Sequence, residues 1–167
     1  MRNLEIKART HNLQKARKIA ESLPAELLAE GEQIDTYFDS PQGRLKLRES
    51  SFEDEAILIW YLRPDSPDPK PSEYRLSRLK RPQKLREFLT SQFGVKVVVT
   101  KRRAIFLYAG IRINLDELED MGGFIEFEAP AENSDKEAQQ AVGELMSRFE
   151  IAHDDLVAES YSDLLLR

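Results

Sequence analysis

The chain opens on Asn3-Leu4-Glu5-Ile6-Lys7-Ala8-Arg9, in which apolar and charged residues alternate. Side chains on a β-strand point to opposite faces in turn, so Leu4, Ile6 and Ala8 share one face while Glu5, Lys7 and Arg9 share the other. Period-two runs recur, and they predict strands near 3–9, 33–39, 43–50, 56–63, 72–77, 97–108, 111–116 and 123–129. Between them the period turns helical. Asn12 precedes Leu13, Ala16, Ile19, Ala20 and Leu23, and Pro24 closes the pattern, which predicts a helix over 12–23. A second helix is predicted from Pro82 to a stop at Gly94. A third is predicted behind a Ser134-to-Glu137 capping box, carrying Ala138, Val142, Leu145 and Phe149, and a short fourth falls around 154–165. Short joints at Ser40 to Gly43, Glu49 to Glu55 and Ala109-Gly110 make sequential strands antiparallel neighbours. Prolines at 64, 67, 69 and 71 forbid regular pairing there and predict a stiff connection over one end of the sheet.

The charged faces then become the question. Arg44, Lys46 and Arg48 share one face of their strand, Lys101 and Arg103 share another, and Arg112 alternates with Ile113, Asn114, Leu115 and Asp116. Glu126 and Glu128 lie together on the last strand, and Arg63 follows the run Ile57 to Leu62. Pooled, that face carries nine cations (Lys7, Arg9, Arg44, Lys46, Arg48, Arg63, Lys101, Arg103, Arg112) against four acids (Glu5, Asp116, Glu126, Glu128), in a chain whose formal charge is −5. One reading is an ordinary solvated face with cross-strand ion pairs. The other is a barrel with its polar face inward, near the size that holds one small ligand. Recurrence over five strands favours the second reading. Buried charges of this kind call for an anionic ligand, and polyvalent phosphate suits Arg and Lys. The carboxylates would then suit Mg²⁺ or Mn²⁺.

Composition narrows the chemistry. The 167 residues, 41% of them hydrophobic, suit one domain over 1–167. The absence of Cys excludes disulfides, thiolate metal sites and cysteine nucleophiles, while His11 and His153 lie far apart and read as surface residues. An acidic chain gives no reason to expect nucleic acid or an anionic membrane as partner. The N-terminus enters a strand pattern by residue 3 and no apolar run approaches bilayer length, so the expected location is cytoplasmic.

The ordered series NLEIKAR, Gln33 to Phe38, Gly43 to Glu49, Lys101-Arg102-Arg103, Arg112 to Asp116 and Gly123 to Glu128 resembles the CYTH domain. Members of that family, also called triphosphate tunnel metalloenzymes, include class IV adenylyl cyclases, thiamine triphosphatases and inorganic triphosphatases. The resemblance covers nearly the whole chain, and it is greatest to class IV adenylyl cyclase-like proteins. It implies an α+β fold: an eight-stranded antiparallel β-barrel, or tunnel, with a charged interior and helices packed outside. The family's first strand carries Glu-x-Glu-x-Lys, which falls here on Asn3, Glu5 and Lys7; Asn3 keeps an oxygen ligand and loses a charge. The resemblance implies triphosphate binding by Lys46, Arg48, Lys101, Arg103 and Arg112, joined on the same face by Lys7, Arg9 and Arg63. It also implies a metal site of Glu5, Asp116, Glu126 and Glu128, with Lys7, Arg48 and Lys101 as candidate catalytic residues. The expected ligand is a triphosphate-containing small molecule (ATP, tripolyphosphate or thiamine triphosphate), and the expected assembly is a monomer or homodimer. Trp60, Tyr61 and Tyr74 can stack on a base or simply pack. A non-catalytic sensor of nucleotide or polyphosphate stays open as the alternative, as does a structural protein with a wet sheet face.

Overall fold

The computed structural model describes residues 1–131 and 135–167. Eight strands, β1 (Arg2–Thr10), β2 (Glu26–Phe38), β3 (Arg44–Ser50), β4 (Ala56–Leu62), β5 (Lys70–Leu79), β6 (Val95–Tyr108), β7 (Ile111–Leu118) and β8 (Gly122–Pro130), close into one antiparallel barrel. Their order around the wall is β1-β5-β4-β3-β2-β6-β7-β8, and β8 pairs back onto β1. Helices α1 (Leu13–Ser22), α2 (Gln83–Phe93) and α3 (Asp135–Arg148) lie outside it, and α4 (Tyr161–Leu165) sits across one end.

The expected elements are present, with shifts that have local causes. Asn12 caps α1, its side chain accepting from the Lys15 N–H at 2.8 Å. Gly94 ends α2 with φ 73°, a conformation open to glycine. The capping box expected at Ser134 lies outside the described residues. β2 begins at Glu26, seven residues before the alternation becomes readable, because Leu27 and Leu28 stand side by side and a register shift falls between Leu27 and Ala29. β5 includes Pro71, paired with Leu4 of β1; the β4 pairing ends at Glu73, so the missing N–H faces no second strand.

The fourth helix is split into a 3₁₀ turn (His153–Asp155) and α4. Between them the chain runs extended, because β5 leaves β1 after Glu5 and exposes the Lys7 carbonyl, which accepts from the Val157 N–H at 2.8 Å. Ser160 then restarts the helix: its hydroxyl accepts from the Asp163 N–H and the Asp163 carboxylate accepts from the Ser160 N–H, each at 3.2 Å.

The apolar faces point outward, as the alternation requires. Leu4, Ile6, Ile113, Ile125 and Phe127 are buried beneath Ala16 and Ala20 of α1 and Val142 and Leu145 of α3. Each buried side chain of this size contributes about 1.5–3 kcal/mol. A second apolar cluster, Val99, Leu118, Phe124 and Tyr161, lies on the inner face and plugs the end under α4. There the Phe124 and Tyr161 rings meet edge to face, 5.1 Å between centroids.

Candidate active site

Inner-facing positions follow from register. From the plugged end outward, β7 presents Leu118, Asp116, Asn114 and Arg112, and β8 sets Phe124, Glu126 and Glu128 beside the last three in the order given. β1 aligns Lys7 with Glu126 and Glu5 with Glu128. Glu5, Lys7, Arg112, Asn114, Glu126 and Glu128 of these positions surround a cavity of about 610 Å³ that opens past Arg112.

Barrel order separates the charges. Glu5, Glu126 and Glu128 sit on the adjoining strands β1 and β8, whereas Lys46 and Arg48 sit on β3, halfway around. Asp35 of β2 holds that basic wall: Arg48 donates to both its oxygens at 2.8 Å, and Lys46 Nζ donates at 2.9 Å. Burial alone would raise the Asp35 carboxyl, but Arg48 and Lys46 more than offset this and hold it well below the usual range.

Deeper in, Asp116 organises a second cluster. Arg103 donates to it through Nε (2.6 Å to Oδ1) and Nη2, the Tyr161 hydroxyl donates at 2.7 Å, and Lys101 Nζ lies 3.5 Å away. Arg103 also pairs with Glu126. Burial opposes ionisation of Glu126 too, and Arg103 and Lys7 override it, leaving its carboxyl well below the usual range. Lys7 Nζ reaches Glu126 at 3.3 Å and the Glu159 carbonyl at 3.2 Å, and stands 3.6 Å from the Tyr161 ring centroid.

Near the carboxylate strip the charges are less well matched. Burial and the neighbouring Glu128 push Glu5 up to about 7, against the pull of Arg63. Arg63 touches Glu5 only at 3.5 Å, and its Nε and Nη2 are buried without a partner among the described residues. The Asn114 amide donates to Glu128 at 3.0 Å while its Oδ1, also buried, has no partner among the described residues. Two crowded carboxylates and an orphaned amide oxygen form an oxygen-donor set that suits a hard divalent cation.

The structure brings Glu5, Lys7, Lys46, Arg48, Arg63, Lys101, Arg103, Arg112, Glu126 and Glu128 together around the cavity. Two of the pooled cations lie elsewhere. Arg9 is exposed at the far end of β1, donating to the Met121 carbonyl, and Arg44 ties Asp65 of the proline-rich connection to Asp163 of α4. Asp116 does not line the cavity; both its oxygens are engaged by Arg103 and Tyr161. Trp60 packs on the outside, donating to the Gln42 carbonyl and covering Gly43, whereas Tyr61 and Tyr74 do reach the cavity.

Periodicity did not single out Asp35, although it faces inward in register with Arg48. Nor did it single out Asn114 or Tyr161. Alternation could have found the first two, but Tyr161 arrives from a helix with no strand pattern. Lys70 is buried under the plugged end, donating to the Val157 and Ala158 carbonyls at 3.3 and 3.1 Å.

Burial depresses three lysines, Lys101 to about 7 with help from Arg103, and Lys7 and Lys70 to about 8. Between those values and the ordinary lysine range the unfolded chain binds more protons than the folded one, so these groups make stability rise with pH. The ligand-free chain is therefore expected to melt at a higher temperature at pH 9.5 than at pH 7.5, by scanning calorimetry. Saturating tripolyphosphate, which favours the ammonium forms, should flatten the difference.

A closed antiparallel barrel with opposed acidic and basic walls facing one cavity defines a β-tunnel protein with a charged lumen. The model of the CYTH domain family matches residues 1–161, and the chain belongs to that family. Among solved structures it is similar to the PH1012 protein from Pyrococcus horikoshii OT3, with 22% identity, TM-score 0.87 and 97% of this chain and 98% of that one covered. It is also similar to a conserved hypothetical protein from Pyrococcus furiosus, with 20% identity, TM-score 0.87 and 97% and 99% coverage. A third, from Vibrio parahaemolyticus and described as a "putative adenylate cyclase", shares 20% identity over 99% of this chain and 98% of that one, with TM-score 0.85. At these identities the likeness shows a common fold. No curated protein matches the chain. Among the described residues no helix is long and apolar enough to cross a membrane.

Proposed function

We propose that the chain is a divalent-cation-dependent enzyme acting on a triphosphate-containing small molecule, of the class IV adenylyl cyclase-like or triphosphatase type. The observation that carries this is Arg63. Its guanidinium is buried at the cavity between the two walls, with two nitrogens unpartnered among the described residues, and such a group is costly unless an anion completes it. A phosphate chain laid across the lumen meets Lys46 and Arg48 on one side and Arg63, Lys7, Lys101 and Arg103 around it. Its negative charge also restores the ammonium forms of Lys7 and Lys101 that burial disfavours.

Glu5, Glu126 and Glu128, with Asn114 beside them, would hold Mg²⁺ or Mn²⁺, which supplies Lewis-acid stabilisation of phosphate oxygens when bound. Asp116 is left out of this set because, unlike Glu126, it does not line the cavity. The chain's own contribution is to neutralise the phosphates, hold them in line and keep the plugged end dry, with Lys7, Arg48 and Lys101 proposed to touch the reacting group. Attack by the substrate's own 3′-hydroxyl on the α-phosphorus breaks the α–β bridge and releases pyrophosphate. Attack by water on the terminal phosphorus releases orthophosphate. In both, the nucleophile's proton passes to water in the open cavity. The likeness to a structure described as a "putative adenylate cyclase" supports the first chemistry only at the level of fold.

A second reading, a sensor that binds without turnover, has one observation in its favour. Asn3, where the family pattern has a carboxylate, lines the cavity, as Tyr74 does. Titration calorimetry tests the site in either case. Arg63→Ala is expected to weaken tripolyphosphate binding by about 1–3 kcal/mol, the cost of losing a charge-assisted contact. Unchanged affinity would remove Arg63 from the site.

A further inference from the structure

We propose that the open half of the cavity receives an aliphatic group, so that the substrate is a triphosphate monoester of an apolar alcohol; this rests on the triphosphate reading above. The inner face of β6 changes character along its length, from Lys101 and Arg103 to Ile105 and Leu107. β2 pairs antiparallel with it and places Leu28 beside them, and Leu76 of β5 lines the cavity too.

Phe52, from the turn after β3, folds over the same mouth. It can do so because position 31 is glycine: a Cβ there would stand 2.3 Å from Ser51 Oγ and 2.9 Å from the Phe52 ring. Leu28 and Leu76 are left 44% and 41% exposed at the entrance. Apolar surface facing a ligand cavity rather than a protein core marks a place where an apolar partner is expected. The surface is continuous with the charged lumen, so the partner is the far end of whatever the lumen holds.

A nucleobase would need directional partners for its ring nitrogens and exocyclic groups. Arg112, Tyr74, Glu53 and Arg78 of the same lining could serve it, whereas the Ile105, Leu107, Leu28 and Leu76 surface gives it none, and titration with ATP decides between the two. An alkyl or prenyl chain needs only contact area, at about 0.8 kcal/mol per buried methylene. Charge at depth and aliphatic surface on β6, β2 and β5 at the mouth, with Arg112 beside Leu107, together match an amphiphile that enters phosphate first.

Titration calorimetry on the full chain with tripolyphosphate, ATP and geranyl triphosphate tests this. Geranyl triphosphate is expected to bind at least about tenfold more tightly than either of the others. In the Leu28→Asn, Leu76→Asn double variant, whose changes fall on exposed positions, that preference should shrink to within about threefold. ATP or bare tripolyphosphate binding as tightly as geranyl triphosphate, or a preference that survives in the double variant, overturns the aliphatic assignment while leaving the triphosphate reading intact. No binding by any of the three overturns both.

Discussion

Replacing Asp116 with Asn is expected to lower the stability of the folded chain by about 3–5 kcal/mol, the range seen when one partner of a buried ion pair is removed. Asp116 is fully buried and receives Arg103, Tyr161 and, at 3.5 Å, Lys101. Burial alone would raise its carboxyl, yet Arg103 and Lys101 hold it below the ordinary range, so its charge is favoured by the fold. The sign follows: this stability is present above the unfolded carboxylate pKa and is lost as pH falls through the depressed value. Asn keeps the shape and removes the charge, which leaves Arg103 with Glu126 alone and deprives the Tyr161 hydroxyl of its strongest acceptor. Because Tyr161 plugs the barrel against Phe124, α4 should loosen with it. Urea denaturation read by tryptophan fluorescence and by circular dichroism measures the loss. A change under 1 kcal/mol would mean that Arg103 and Tyr161 find other partners.

Glu5→Gln should act in the opposite sense on stability and more strongly on activity. Glu5 is pushed up to about 7 by burial and by Glu128, so its carboxylate is disfavoured in the empty chain. A raised acid pKa takes away stability as pH rises from the unfolded value toward 7, and at pH 8 that cost is fully present. Glutamine removes it, and the empty variant should melt at a higher temperature than the parent. The same change deletes one of the three carboxylates proposed to hold the divalent ion. Turnover of a triphosphate substrate with Mg²⁺ or Mn²⁺ is expected to fall on the order of 10²-fold or more, as when a preorganised charge-stabilising group is lost. A paired rise in melting temperature and loss of turnover is the signature of a group held for chemistry. A variant that melts higher and turns over normally would place Glu5 outside the site.

Much of this is legible in the sequence itself. Alternation in NLEIKAR put Glu5 and Lys7 on one face and Leu4, Ile6 and Ala8 on the other, and the barrel places them inside and outside. What alternation cannot carry is depth along the barrel axis. Arg9 shares its face with Lys7 yet lies beyond the plugged end, and Arg44 shares a face with Lys46 yet serves α4. Depth comes from register and stagger, which are settled by pairing between strands distant in sequence. The same limit explains Asp116, which has the right face and chemistry but lies a layer below the cavity.

The surplus of cations also shrank for a physical reason. Six of the nine pooled cations sit deep in the lumen, where Asp35 is shared by Lys46 and Arg48 and Asp116 by Arg103 and Lys101, so two of those positive charges are offset, one of them by an acid, Asp35, that alternation did not single out. Tyr161 was out of reach for another reason: it enters the lumen from the C-terminal segment because the Lys7 carbonyl captures Val157 and Ser160 restarts the helix.

The central claim, metal-supported processing of a triphosphate compound, is tested most directly by chromatographing products after incubation of the full chain with ATP, tripolyphosphate and thiamine triphosphate, with and without Mg²⁺ or Mn²⁺. Consumption of at least one of them, only when the divalent ion is present, is the result expected. Cyclic AMP with pyrophosphate would mark the cyclase chemistry, and orthophosphate the hydrolase. Tight binding of these compounds with no product under any metal condition would contradict the enzyme assignment and leave a sensor in its place.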